Sequence, residues 1–348
     1  MQATHNRAEG ASSIASAFAS LSSGSTELPP RFAALKREII SGNENAVLAG
    51  WNRLLERVSL EKLRNVDTSL IPEVEFRDIA ANDGNIPKEV VKSLRKCGTI
   101  VIKGLIDEAQ AVQWKEQIRD YVNKNPQTKG FPANDIQVYE IYWSKAQLKA
   151  RAHANMLMAQ VALNRVWSAK PEDAVDLEVP LTYSDRSSDG VEWELDLDSP
   201  HFHGAAMGSG QELATATHSH LNPHGFVSIP RVRPGDAVFW HCDVAHMVEA
   251  EHRGTSDSSV LYIPSVPLCE VNSVYIKRQR ENFEQGIAPP DFPGGVGESQ
   301  HKGRGQAEDI ESTAGRRAMG LERFGVVEHS TPGQRVVAEV ANDILGFK

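Results

Sequence analysis

Between Glu44 and Val58 the apolar residues Val47, Leu48, Trp51, Leu54, Leu55 and Val58 recur at helical spacing, which predicts a helix with one buried face. "LPPRF", Leu28 to Phe32, opens the ordered part of the chain. Pro72 to Phe76 reads as a short extended piece. "GTIVIKGL", Gly98 to Leu105, is a β-branched run between glycines and predicts a buried strand. Asp107 then opens a helix to about Asn123, ended by "NKNP". Ser144 and Gln147 make a capping-box pattern ahead of one long helix reaching about Trp167.

After Pro180 the period changes. Short apolar segments ("VPLTYSD", "HGFVSIPRV", "DAVFWHC", "SSVLYIPSV") alternate with Gly, Pro, Asp and Ser clusters, the pattern of an antiparallel sandwich or barrel. Helical patterning returns at Asn272 to Gln285, and a Pro/Gly-rich loop follows. A last helix begins with Thr331 as cap and Pro332 as first residue and runs to about Leu345. The expected class is α+β, with a β-sandwich core flanked by N- and C-terminal helices. The expected layout is a disordered tail over residues 1–27, one domain over 28–325 and a C-terminal helical stretch over 326–348. Within the domain, 28–179 is mostly helical, 180–270 forms the β core, and 271–325 is helix and loop.

Composition alters this picture little. Of 348 residues, 40% are hydrophobic and 24% charged, as in an ordinary globular protein. The formal net charge of −9 argues against a nucleic-acid or anionic-membrane partner. The three cysteines lie far apart without metal-type spacing, which fits a reducing compartment. The Ser/Ala-rich start lacks the pattern of a secretory signal, and no apolar run is long enough to span a membrane. A cytoplasmic protein acting on a small molecule is the expectation.

The candidate chemistry is histidine. Eight of the 12 histidines fall between His201 and His252, and neutral imidazole is a common ligand of iron, zinc and copper. "RVRPGDAVFWHCDVAH" has the most specific pattern: a Pro-Gly-Asp turn, a strand over Ala237 to Cys242, and His246 just beyond it. His246 is the best single ligand candidate. His241 and Asp243 form an H-x-D that could add ligands, though it lies only three residues from His246. His201 and His203 share a face if "PHFHG" is extended, and with His246 would make a three-histidine, cupin-like site. His218 and His220 have the same spacing beside a turn, and Asp196 and Asp198 read as solvated loop carboxylates.

Together, "KGFPANDIQVYEIYWSKAQLKARAH", "VPLTYSDR", "GSGQEL", "VSIPRVRPGDAVFWHCDVAH" and "EHRGTSDSSVLYIPSVPLCEVNSVYIKRQRENF" resemble the YbiU-like family, from about Leu28 to Glu322. That family is similar to the Fe(II)/2-oxoglutarate-dependent dioxygenases. The resemblance implies a double-stranded β-helix (jelly-roll, cupin-like) and iron held by two histidines and a carboxylate. It also implies 2-oxoglutarate as co-substrate, whose decarboxylation drives hydroxylation, desaturation or cyclisation of a small molecule such as an amino acid or natural-product intermediate. Arg253, Ser258 and Ser259, with Tyr183, are the candidate anchors for 2-oxoglutarate. Tyr139, Tyr142 and Trp143 are candidates to line a substrate pocket or, alternatively, aromatic core.

The sequence departs from the superfamily pattern at one place. An early barrel strand should carry the H-x-D ligands, yet Arg186 runs almost directly into "SSDGVEWELDLDSPHFHGAA". An interior piece is expected to be missing there, leaving the β-helix incomplete. A non-catalytic relative acting as a binding or scaffold protein is therefore the alternative to an oxygenase, and a histidine-only cupin-like metalloprotein is a third reading.

Overall fold

The computed structural model describes residues 31–58, 70–131, 136, 138–181, 227–241, 244, 246, 255, 257–290, 292 and 296–348. Helices α1 (Arg31–Ile40) and α2 (Glu44–Val58) lead in. Strand β1 (Glu73–Glu75), helices α3 (Phe76–Ala81) and α4 (Lys88–Cys97), strand β2 (Thr99–Lys103) and helix α5 (Glu108–Lys124) follow. A small pair, β3 (Gly130–Phe131) and β4 (Val138–Tyr139), precedes helices α6 (Lys145–Arg151) and α7 (Ala154–Asn164). Strands β5 (Val175–Leu181), β6 (Ala237–Trp240) and β7 (Val266–Cys269) come next, then helices α8 (Glu270–Gln285), α9 (Thr313–Ala318) and α10 (Pro332–Leu345).

Strand β2 is the centre of the first core. Ile100, Val101 and Ile102 are fully buried, as their β-branched chemistry suggests. Parallel β1 flanks it on one side and antiparallel β6 on the other, with Ile100 opposite Phe239. Phe76, Ile79, Trp114, Met156 and Ala159 cover this sheet. A second core lies between the antiparallel pair β5–β7 and helices α8 and α10, around Leu181, Leu268, Ile276, Val337 and Leu345. A third, aromatic cluster joins Trp143, Phe283, Ile310 and Met319.

Several expected elements differ. The single helix through Trp167 is two, broken at Ala152–His153. The imidazole of His153 accepts the backbone N–H of Asn155 and so starts α7 as an N-cap in extended conformation. The strand expected to Cys242 ends at Trp240, and "SSVLYIPSV" enters a ladder only at Val266. The architecture among the described residues is mixed α+β, with three small sheets. The expected tail over residues 1–27 lies outside the described residues.

Candidate functional site

Local chemistry builds the entry to β6. At the Pro234-Gly235-Asp236 turn, Gly235 has φ +91°, and a Cβ there would meet the Ile106 carbonyl oxygen at 2.1 Å. The turn therefore needs glycine on two counts. The Asp236 carboxylate accepts the backbone N–H of Gly104 and of Arg233, each at 2.8 Å, and faces Lys103 Nζ at 3.7 Å. Asp236 thus pins the turn to the end of β2, fixing the register that carries β6 toward His241.

The exit of β6 leans on the end of α4. Gly98 caps that helix at φ +68°, and its carbonyl accepts the His241 N–H at 2.8 Å. A Cβ on Gly98 would meet Val244 at 2.5 Å. The His241 ring lies 5.5 Å from that of Trp167, centroid to centroid, and the His246 ring 5.3 Å from that of Trp240. His246 is exposed, and its Nδ1 lies 2.8 Å from the Val244 carbonyl. A carbonyl only accepts, so Nδ1 is the protonated nitrogen, and in the neutral ring the lone pair is on Nε2. A backbone carbonyl orienting the far nitrogen is the usual support for a metal-binding imidazole.

The other candidates do not gather around it among the described residues, where no three His, Cys, Asp or Glu side chains form a group able to hold a metal ion. Asp243, His201, His203, Tyr183 and Arg253 lie outside the described residues, as do His218, His220, Asp196 and Asp198. Ser258 is exposed. Ser259 donates its hydroxyl to Asp257 at 2.9 Å, and Asp257 also pairs with Lys115 (2.8 Å) and Arg119 (3.0 Å) on α5. Hydrogen bonds from Lys115 and then Ser259 lower the Asp257 pKa to about 2. Tyr139 is exposed, and with Ile118, Arg119, Val122 and Asn123 lines a hollow of about 200 Å³. Trp143 is buried in the aromatic cluster. Tyr142 is also in that cluster, and borders a hollow of about 250 Å³ with Lys129, Glu140 and His301.

One buried polar group escaped the sequence reading. Glu298, in the Pro/Gly-rich loop, has no solvent exposure. One of its oxygens accepts the Tyr121 hydroxyl at 2.8 Å, and the other accepts the backbone N–H of Tyr142 at 2.6 Å and of Trp143 at 2.9 Å. Burial pushes its pKa up, against the pull of those donors and of nearby Arg151. The guanidinium of Arg151 lies 5.5 Å from the Trp143 ring centroid. This network locks the aromatic cluster to α5. The signal in "GGVGESQHKGRG" was faint: one carboxylate in a loop that otherwise reads as polar and pliable.

The model of the Gig2-like family matches residues 26–189 and 187–321. The chain belongs to the Gig2-like family. The two matched segments meet at residues 187–189, where the sequence pattern is interrupted. YbiU of Escherichia coli K12 is 24% identical over 362 aligned positions, which take in 72% of this chain and 85% of YbiU. Since 72% of 348 residues is about 250, roughly a hundred aligned positions of YbiU have no counterpart here. Among solved structures, the Candida albicans GlcNAc-inducible gene 2 product matches with TM-score 0.75 and 23% identity, over 93% of this chain and 96% of that one. A Salmonella typhimurium LT2 protein described as "Putative Oxidoreductase" matches with TM-score 0.64 and 20% identity, over 85% of this chain and 99% of that one. At these identities the structures speak for the fold.

Proposed function

We propose that the protein is an oxidoreductase of the Fe(II)/2-oxoglutarate-dependent class acting on a small molecule, with His246 as one iron ligand. The observation that carries this reading is His246 itself. It stands just past a strand held in register by Asp236 and Gly235, with Nδ1 held by the Val244 carbonyl and Nε2 left to bind a metal. The name of the Salmonella relative supports the coarser part of this reading, an oxidoreductase. Arg253 is the proposed anchor of the 2-oxoglutarate carboxylate, because the Ser259 hydroxyl is already given to Asp257.

The described donor set fits one ligand position of such an iron and does not complete it. A second reading rests on the alignment: if the unmatched positions of YbiU include the proximal H-x-D ligands, this chain is a non-catalytic form of the family. Iron content after purification, together with succinate formed from 2-oxoglutarate, separates the two readings. The oxygenase reading expects both, and expects His246→Ala to weaken iron binding about tenfold or more while leaving the helical signal intact. Well-folded protein with neither iron nor succinate formation would overturn it in favour of the second reading.

A further inference from the structure

The hollow of about 250 Å³ beside Tyr142 has walls held in place from several sides. Lys129 precedes β3 and Glu140 follows β4. The Lys129 carbonyl accepts the Glu140 N–H at 2.9 Å, so the two residues stand opposite each other at the end of that pair. The facing wall is the loop of Glu298, which also fixes the Tyr142 N–H. Gly297 in that loop has φ +49°, and a Cβ there would meet the Ala288 nitrogen at 2.6 Å, so the wall at this point is bare backbone. His301 is anchored as well. The Thr128 hydroxyl gives its one proton to the Asn125 carbonyl at 2.6 Å and so accepts from His301 Nε2 at 3.0 Å. Burial keeps the His301 pKa below its ordinary value, so the ring is neutral near pH 7. The charges on the lining are therefore one cation, Lys129, and one anion, Glu140.

We infer that this hollow binds a small zwitterion, an α-amino acid with a short apolar side chain, with its ammonium on Glu140 and its carboxylate on Lys129. The Glu140 carboxylate is half-buried, and burial raises its pKa more than the nearby Lys129 lowers it. Its charge is thus desolvated without being fully compensated, and a second cation beside it is favoured. Lys129 lies on the exposed rim, where the side-chain amide of Gln300 can add a donor to the same carboxylate. Tyr142 and Val296 supply the apolar part of the lining. The volume lies below the roughly 300–1,000 Å³ of sites for drug-sized molecules, which limits the ligand to a few heavy atoms beyond the zwitterion. Walls fixed by Glu298, Gly297 and Thr128 need little ordering on binding. The inference does not rest on the iron reading.

Calorimetric titration of the full chain with L-valine tests this, beside isobutylamine, which lacks the carboxylate, and 3-methylbutanoate, which lacks the ammonium. Saturable binding of L-valine with a Kd of about 1 mM or below is expected, and each analogue is expected to bind about tenfold more weakly or worse. Glu140→Gln and Lys129→Met are each expected to weaken L-valine binding about tenfold with an unchanged helical spectrum. Lys129 is exposed, so its variant keeps the test open even if Glu140→Gln does not fold. No saturable binding of L-valine, an analogue that binds as tightly as L-valine, or an affinity indifferent to Lys129→Met would each overturn the proposal.

Discussion

Glu298 shows how much one side chain can hold in this protein. Its carboxylate serves three donors from two distant stretches of chain, and no solvent reaches it. Glu298→Ala would strand the N–H groups of Tyr142 and Trp143 and the Tyr121 hydroxyl together, with Arg151 left uncompensated. A loss of about 3–5 kcal/mol of unfolding free energy is expected, since removing one partner of a buried charged network costs that much. Urea denaturation measures it, and a loss below about 1 kcal/mol would mean that water satisfies those groups. At this same scale the sequence was informative about some residues and mute about others. Ser144 was legible as a cap because its partner Gln147 is three residues away. Glu298 was not, because its partners are 155 to 177 residues distant.

The elements were most legible where the signal is local. Helix α2 has the bounds that its apolar period predicts, although Val47 and Leu48 of the expected buried face are exposed; Asp107 caps α5 through the Gln110 N–H, and Thr331 and Pro332 open α10. The break between α6 and α7 was not read, because histidine is an uncommon cap. That cap titrates. Burial lowers the His153 pKa below its ordinary 6.5, so the native state binds this proton less readily than the unfolded chain does. The sign follows: the contribution is constant well above pH 6.5 and stability falls as pH drops through 6.5 toward the depressed value. His153→Asn keeps a capping side chain without the titration. The stability difference between variant and parent is expected to shift in the variant's favour on acidification below pH 6.5. Denaturation midpoints at a series of pH values check this, and a pH-independent difference would remove His153 as the cause.

Across the whole molecule, α7 links the two larger cores, packing in the first and hydrogen-bonding to a strand of the second. Met156, Ala159 and Ala162 face the first, while Asn164 donates to the Leu177 carbonyl on β5, whose partner strand carries Leu268 of the second. Such sharing predicts one cooperative unit. Leu268→Ala is expected to cost about 2–5 kcal/mol and to move the tryptophan-fluorescence and helical-CD transitions together. Two separated transitions would show that the cores unfold independently. The sequence by itself determined the helices with strong period and caps, the buried strand at β2, the family resemblance and the break after Arg186, because each is written in neighbouring residues. Tertiary structure decided which strands pair with β2, that α6 and α7 are two helices, and that Glu298 is a linchpin. It also decided that His246 presents its Nε2. Those outcomes depend on which distant backbone groups meet, and no local pattern encodes that.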